Sequence, residues 1–128
     1  MKKITVIAVF ALLAITAMAQ RVSIQTGKKA SAREQYAVEY LQKKLTEMGY
    51  TVSPKKADCK VTLSNANRGT AEGYTIAKDK KGITVTGNDA TGVIYGCVEL
   101  ADRIRQAGGL DIQPVTEAPS PSRPMHNA

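Results

Sequence analysis

Residues 87–92, Gly-Asn-Asp-Ala-Thr-Gly, have the two-glycine spacing of a phosphate-binding loop. Such a loop needs a lysine for the phosphates and a hydroxyl for magnesium directly after the second glycine. Val93 and Ile94 stand there instead, so the stretch reads as a turn into a helix. Cys59, Cys97 and His126 have no metal-site spacing. A Ser-His-Asp triad would have to use His126, beside a proline-rich segment where nothing holds an imidazole rigid. Glycoside hydrolysis needs two carboxyls across a cleft, whereas the 11 Asp and Glu residues are dispersed over helix backs and turns. No residue is therefore assigned a catalytic, cofactor-binding or metal role, and no cofactor is expected. Sugar platforms usually need exposed aromatic rings. The chain has no Trp, and its one Phe lies in the first 19 residues. Tyr36, Tyr40, Tyr50 and Tyr95 read as helix–sheet packing, and Tyr74 as an inward strand residue.

The stretch around that turn sets the organisation. Ile83 and Val85 alternate with Thr84 and Thr86, the period of a strand with one buried face. After Gly87, one of Asn88, Asp89 or Thr91 caps a helix. Its inner stripe is Val93, Ile94, Cys97, Leu100, Ala101 and Ile104, with Glu99, Asp102, Arg103 and Gln106 outside it. Gly108 fits the left-handed position past the helix end. Gly92 and Gly96, four apart on one face, point to close approach of helix and sheet.

The first stretch stands outside the fold. Lys2 and Lys3 precede the apolar run from Ile4 to Ala17, and Ala17-Met18-Ala19 supplies small residues before a cut. That is a secretory signal peptide over 1–19, with cleavage between Ala19 and Gln20. The run is short for a membrane span, which needs about 20 apolar residues, so no membrane association is expected after cleavage. Export places the chain in the periplasm or outside the cell. Removing Lys2 and Lys3 from the 18 Lys and Arg leaves 16 against 11 acids, a net charge of +5. The basic residues are scattered among the acids, unlike a nucleic-acid face. An oxidising compartment permits a disulfide between Cys59 and Cys97, but both fall on core faces, where a free cysteine packs as a small hydrophobe.

In chain order, Arg21 to Gln25 reads as a strand with Val22 and Ile24 inward. Ser31 and Glu34 form a capping box for a helix whose inner stripe is Ala37, Val38, Leu41, Leu45 and Met48, stopped by Gly49. Strands follow at Tyr50 to Ser53, Cys59 to Ser64 and Glu72 to Lys78. A hairpin turn at Asp79 to Gly82 leads into the strand–helix unit. Leu110 to Gln113 reads as a last short strand, and the four prolines from Pro114 to Pro124 as a linker. Clean alternation predicts a two-layer α+β sandwich: a mixed, mostly antiparallel sheet of five or six strands with both helices on one face. The other face presents Ser23, Gln25, Lys60, Thr62, Thr75, Thr84 and Thr86. No helix covers it, so that face or the sheet edge is free for a partner.

Residues 72–76 (EGYTI), 81–104 (KGITVTGNDATGVIYGCVELADRI) and 36–50 (YAVEYLQKKLTEMGY) carry a resemblance. They are similar to the small α+β domain that precedes the catalytic barrel in exported glycoside hydrolases. These include β-N-acetylhexosaminidases and α-glucuronidases. The likeness covers roughly residues 21–113. Pro121, Arg123, Met125 and Asn127 resemble the start of the barrel in α-glucuronidase-like enzymes, with Pro124 where an aliphatic residue is usual. The expected organisation is a signal peptide at 1–19, an accessory domain at 20–113, and a linker with the start of a missing barrel at 114–128. The resemblance implies a non-catalytic accessory domain of an exported enzyme acting in glycan breakdown. Its expected partner is a barrel, in cis or lost, and catalysis by the chain alone is not expected. The alternative is an independent secreted module that binds a glycan or a protein.

Overall fold

The structure is a computed structural model that describes residues 20–118. The expected signal peptide and the barrel-like residues Pro121 to Asn127 lie outside the described residues.

Among the described residues, six strands and two helices follow in the order β1 (Arg21–Gln25), α1 (Ala32–Glu47), β2 (Thr51–Val52), β3 (Cys59–Asn65), β4 (Tyr74–Lys78), β5 (Gly82–Gly87), α2 (Ala90–Ala107) and β6 (Val115–Ala118). They form one sheet in the order β2-β1-β3-β5-β4-β6. The α+β class, the strand number and the single helical layer are as expected. Strand direction is not. β1 pairs in parallel with β2 and β3, and β3 with β5; only β4 runs against its neighbours, β5 and β6. The sheet is thus mixed but not mostly antiparallel. Alternation reports burial on one face, and here parallel strands also have a free face, so the pattern says nothing about direction.

Each helix is held at its start by a side chain the sequence supplies locally. The Ser31 hydroxyl accepts the Glu34 N–H at 3.2 Å. The Glu34 carboxylate in turn accepts from the Ser31 hydroxyl and from the Asn65 amide, each at 3.1 Å. For α2 the cap is Asp89. One of its oxygens accepts the Gly92 N–H at 2.8 Å, and the other accepts the Glu72 N–H at 3.0 Å. Gly108, at φ 72°, ends α2. Arg33 donates to the Thr91 hydroxyl at 3.1 Å and ties the first turns of the two helices together. Both helices return from parallel strands, so they run in the same direction.

The core lies between the layers. Val22, Val61, Leu63, Ile76, Ile83 and Val85 meet Leu41 and Leu45 of α1 and Val93, Cys97, Leu100 and Ile104 of α2, all nearly or fully buried. Burying each large apolar side chain contributes roughly 1.5–3 kcal/mol. Close approach is built in at Gly92 and Gly96. A Cβ there would stand 2.2 Å from the Gly73 carbonyl oxygen and 2.5 Å from Val85 Cγ1, respectively.

Two local expectations change. The last strand is Val115–Ala118, not Leu110 to Gln113. Pro114 has no N–H to give a sheet, and pairing to β4 begins just past it, while Ile112 is buried without being a strand residue. The segment read as linker therefore starts as an edge strand. Ser23 is the second: expected outward and wet, it is only 5% exposed. The connection from β2 to β3 passes β1 closely, with Ser53 N–H donating to Val22 and Asp58 N–H to Arg21.

Candidate functional site

The two broad faces of the domain differ in chemistry. On the free sheet face Thr62 lies beside Thr84, Ser64 beside Thr86, and Thr86 beside Thr75. These are short hydroxyl side chains, and no large apolar residue is exposed there. On the helix layer the reverse holds. Tyr36 is 55% exposed and Val98 40%, the two exposed large hydrophobic residues among those described. Tyr36 thus departs from its expected packing role. Tyr40, one turn further along α1, is half-buried, and Lys44 Nζ lies 5.6 Å from its ring centroid.

A groove of about 390 Å³ runs between the helices, floored by Tyr40, Met48, Val98 and Ala101. Its charged rim is internally matched. Lys44 pairs with Glu47 at 3.6 Å, Arg103 with Glu99 at 2.6 Å, and Arg105 with Asp102. Glu99 also accepts the Tyr74 hydroxyl at 3.3 Å. Burial, then the Glu99 carboxylate, push the Tyr74 phenol up to about 12. Glu99 is therefore not a solvent-facing residue, as its place outside the apolar stripe suggested; it spans helix and sheet.

The remaining chemistry-bearing residues are dispersed. Cys97 is fully buried and Cys59 half-buried, and both are free thiols. Burial pushes the Cys97 thiol up to about 12, and it raises Cys59 too, against the lowering pull of Lys78. Asp111 is held below the usual carboxylate range by its hydrogen bond to Lys78. Among the described residues no group of three or more His, Cys, Asp or Glu side chains could hold a metal ion. His126 lies outside them. The signal that identifies Tyr36 was present: Ala37, Leu41 and Leu45 already complete the buried stripe, which leaves Tyr36 and Tyr40 one step off it, toward the second helix.

The two-layer α+β fold and the matches that follow identify the chain as an N-terminal non-catalytic domain of glycoside hydrolases. The chain belongs to the family described as glycosyl hydrolase family 20, domain 2, whose profile matches residues 13–116. Among solved structures it is similar to a GH138 enzyme targeting pectin rhamnogalacturonan II. That likeness has 33% identity and a TM-score of 0.68, and covers 77% of this chain and 15% of that one. It is also similar to a family GH115 4-O-methyl-α-glucuronidase with specificity for decorated arabinogalactans. There the identity is 13%, the TM-score 0.50 and the coverage 68% of this chain and 14% of that one, a likeness of fold alone. The chain thus spans about 15% of the length of these enzymes. No curated protein matches it. No helix among the described residues is long and apolar enough to cross a membrane.

Proposed function

We propose that the chain serves as the accessory domain of an exported glycoside hydrolase of glycan breakdown, α-glucuronidase-like or β-N-acetylhexosaminidase-like. It does no chemistry itself and docks its helix layer on the catalytic barrel. The observation that carries this reading is the exposure of Tyr36 and Val98 on the helix layer, with Val98 lining the interhelical groove. The sequence pattern left the sheet face open to a partner, but the apolar surface worth covering is on the opposite layer. A rim of paired charges suits a neighbour without strong charge, and contacts between domains of one chain bury about 600–1,500 Å² of fairly polar surface. The enzyme at 33% identity, of which this chain covers 15%, supports a large neighbouring catalytic unit, and its pectin target supports a plant-polysaccharide substrate.

The test uses a catalytic barrel from a related enzyme, made separately. The chain should bind it, and Tyr36→Ser with Val98→Asp should abolish binding without unfolding the chain. Thr84→Lys, on the sheet face, should leave it intact. The opposite pattern would move docking to the sheet. Hydrolysis of aryl glycosides by the purified chain, lost on changing one of its own acids, would overturn the accessory reading.

A further inference from the structure

The carboxyl ends of β1 and β3 diverge. The chain leaves β1 for α1 and then β2 on one side, and leaves β3 for β4 and β5 on the other. Strand ends that part in this way open a crevice, the place where open sheets with parallel strands hold ligands. Here the crevice is an open cleft of about 450 Å³, within the size range of small-molecule sites. Leu63 is its one large apolar lining residue.

One wall is fixed by internal bonds. The Asn65 amide donates to Glu34, and the Asn65 side-chain oxygen accepts the Asn67 N–H at 2.9 Å. The carboxylate of Glu34 accepts from the neutral Ser31 hydroxyl and Asn65 amide, which hold it in that wall while it keeps its charge. Of the other lining side chains, Thr26 donates its hydroxyl to the Gly27 carbonyl at 3.2 Å, while those of Gln25, Lys29, Thr62, Ser64 and Asn67 have no hydrogen-bond or ion-pair partner among the described residues. The cleft therefore offers the Lys29 ammonium, two amides and two hydroxyls with little apolar surface, beside a Glu34 carboxylate engaged in the wall's own bonds, so an acidic ligand must set its charge at Lys29. That set is complementary to a small molecule dense in hydroxyls and bearing one negative charge.

We propose that this cleft binds an acidic saccharide, with its carboxylate on Lys29 and its hydroxyls on Gln25, Thr62, Ser64 and Asn67. No aromatic ring lines the cleft, so recognition is by hydrogen bonds at the edges of the sugar and not by stacking. The site lies at the strand ends, away from the interhelical groove, and the proposal stands or falls apart from the docking of a barrel.

The full chain, isotopically labelled, is titrated with tri-galacturonate, with a neutral tri-glucoside and with citrate, and amide shifts are followed by NMR. Tri-galacturonate should shift amides of 25–29 and 62–67 and saturate, while the neutral sugar and citrate bind at least about tenfold more weakly. Lys29→Gln should weaken tri-galacturonate binding about tenfold, the usual scale for a lost charged hydrogen bond. Ser64→Ala should weaken it severalfold, and Lys28→Gln, off the cleft, should leave it unchanged. Equal binding of citrate would reduce the site to a simple anion contact, and equal binding of the neutral sugar would remove the role of Lys29. Either result, like the absence of saturable shifts at these strand ends, overturns the proposal.

Discussion

The carbonyl oxygen of Gly73 stands where the Cβ of any other residue at Gly92 would have to go, at 2.2 Å. It belongs to the backbone entering β4 and cannot rotate away. Gly92→Ala should therefore cost about 3 kcal/mol despite the roughly 1 kcal/mol gained in helix propensity. Gly96→Ala meets a side-chain methyl of Val85 at 2.5 Å, which can shift, and should cost clearly less. Urea titration of both variants checks the order. Equal losses would mean that α2 slides freely over the sheet.

Leu100→Ala removes a fully buried side chain and should cost about 2–5 kcal/mol. Glu99→Ala strips the Tyr74 hydroxyl and Arg103 of their partner and should cost about 1 kcal/mol. In a double-mutant cycle with Tyr74→Phe, the combined loss should fall short of the sum. Strict additivity would show that the Tyr74–Glu99 bond contributes nothing.

Asp89 closes two backbone donors, Gly92 N–H in the helix and Glu72 N–H in the preceding loop. Asp89→Ala should cost about 1–2 kcal/mol. Hydrogen exchange should quicken at both amides together. Faster exchange at Gly92 alone would mean that the loop holds itself.

Stability should decline in alkali from pH 9 upward. The Cys97 thiol has an ordinary value of 9.0 and is pushed to about 12 by burial; the Tyr74 phenol, ordinarily 10.0, also reaches about 12. Below pH 9 both are protonated in folded and unfolded chains, and their full contribution is present. Above it the unfolded chain releases these protons while the folded chain keeps them, so unfolding gains ground until the folded values are passed. Thermal melts from pH 7 to 11 should show the fall, and Cys97→Ala should reduce the part that begins first, to which Cys59, also raised by burial, adds. A flat profile to pH 11 would contradict the raised values.

Much of this was legible in the residues. Alternation at Val22, Val61, Leu63, Ile83 and Val85 marked the buried sheet face, and Ser31, Asp89, Gly92, Gly96 and Gly108 marked helix starts, ends and contacts. These features are local: a cap or a pleat acts within a few residues. What escaped depends on distant neighbours. β5 lies between β3 and β4, so strand direction could not be read from strand pattern. Ser23 is buried although it lies on the face without helices, and Glu99 is recruited by Tyr74 from another layer. The strand-end cleft exists only because Gln25, Ser64 and Asn67, on two segments far apart in sequence, arrive at one rim.

The tie between Arg33 and Thr91 marks two helices lying side by side and pointing the same way. Their macrodipoles are therefore aligned, and like ends repel across the groove. The charges at the termini counter this. Glu34 and Asp89 stand at the starts of α1 and α2, and Lys44 and Arg105 in their last turns. The domain is thus a small pair of parallel bar magnets, held against their own repulsion by the opposite charges seated at their ends.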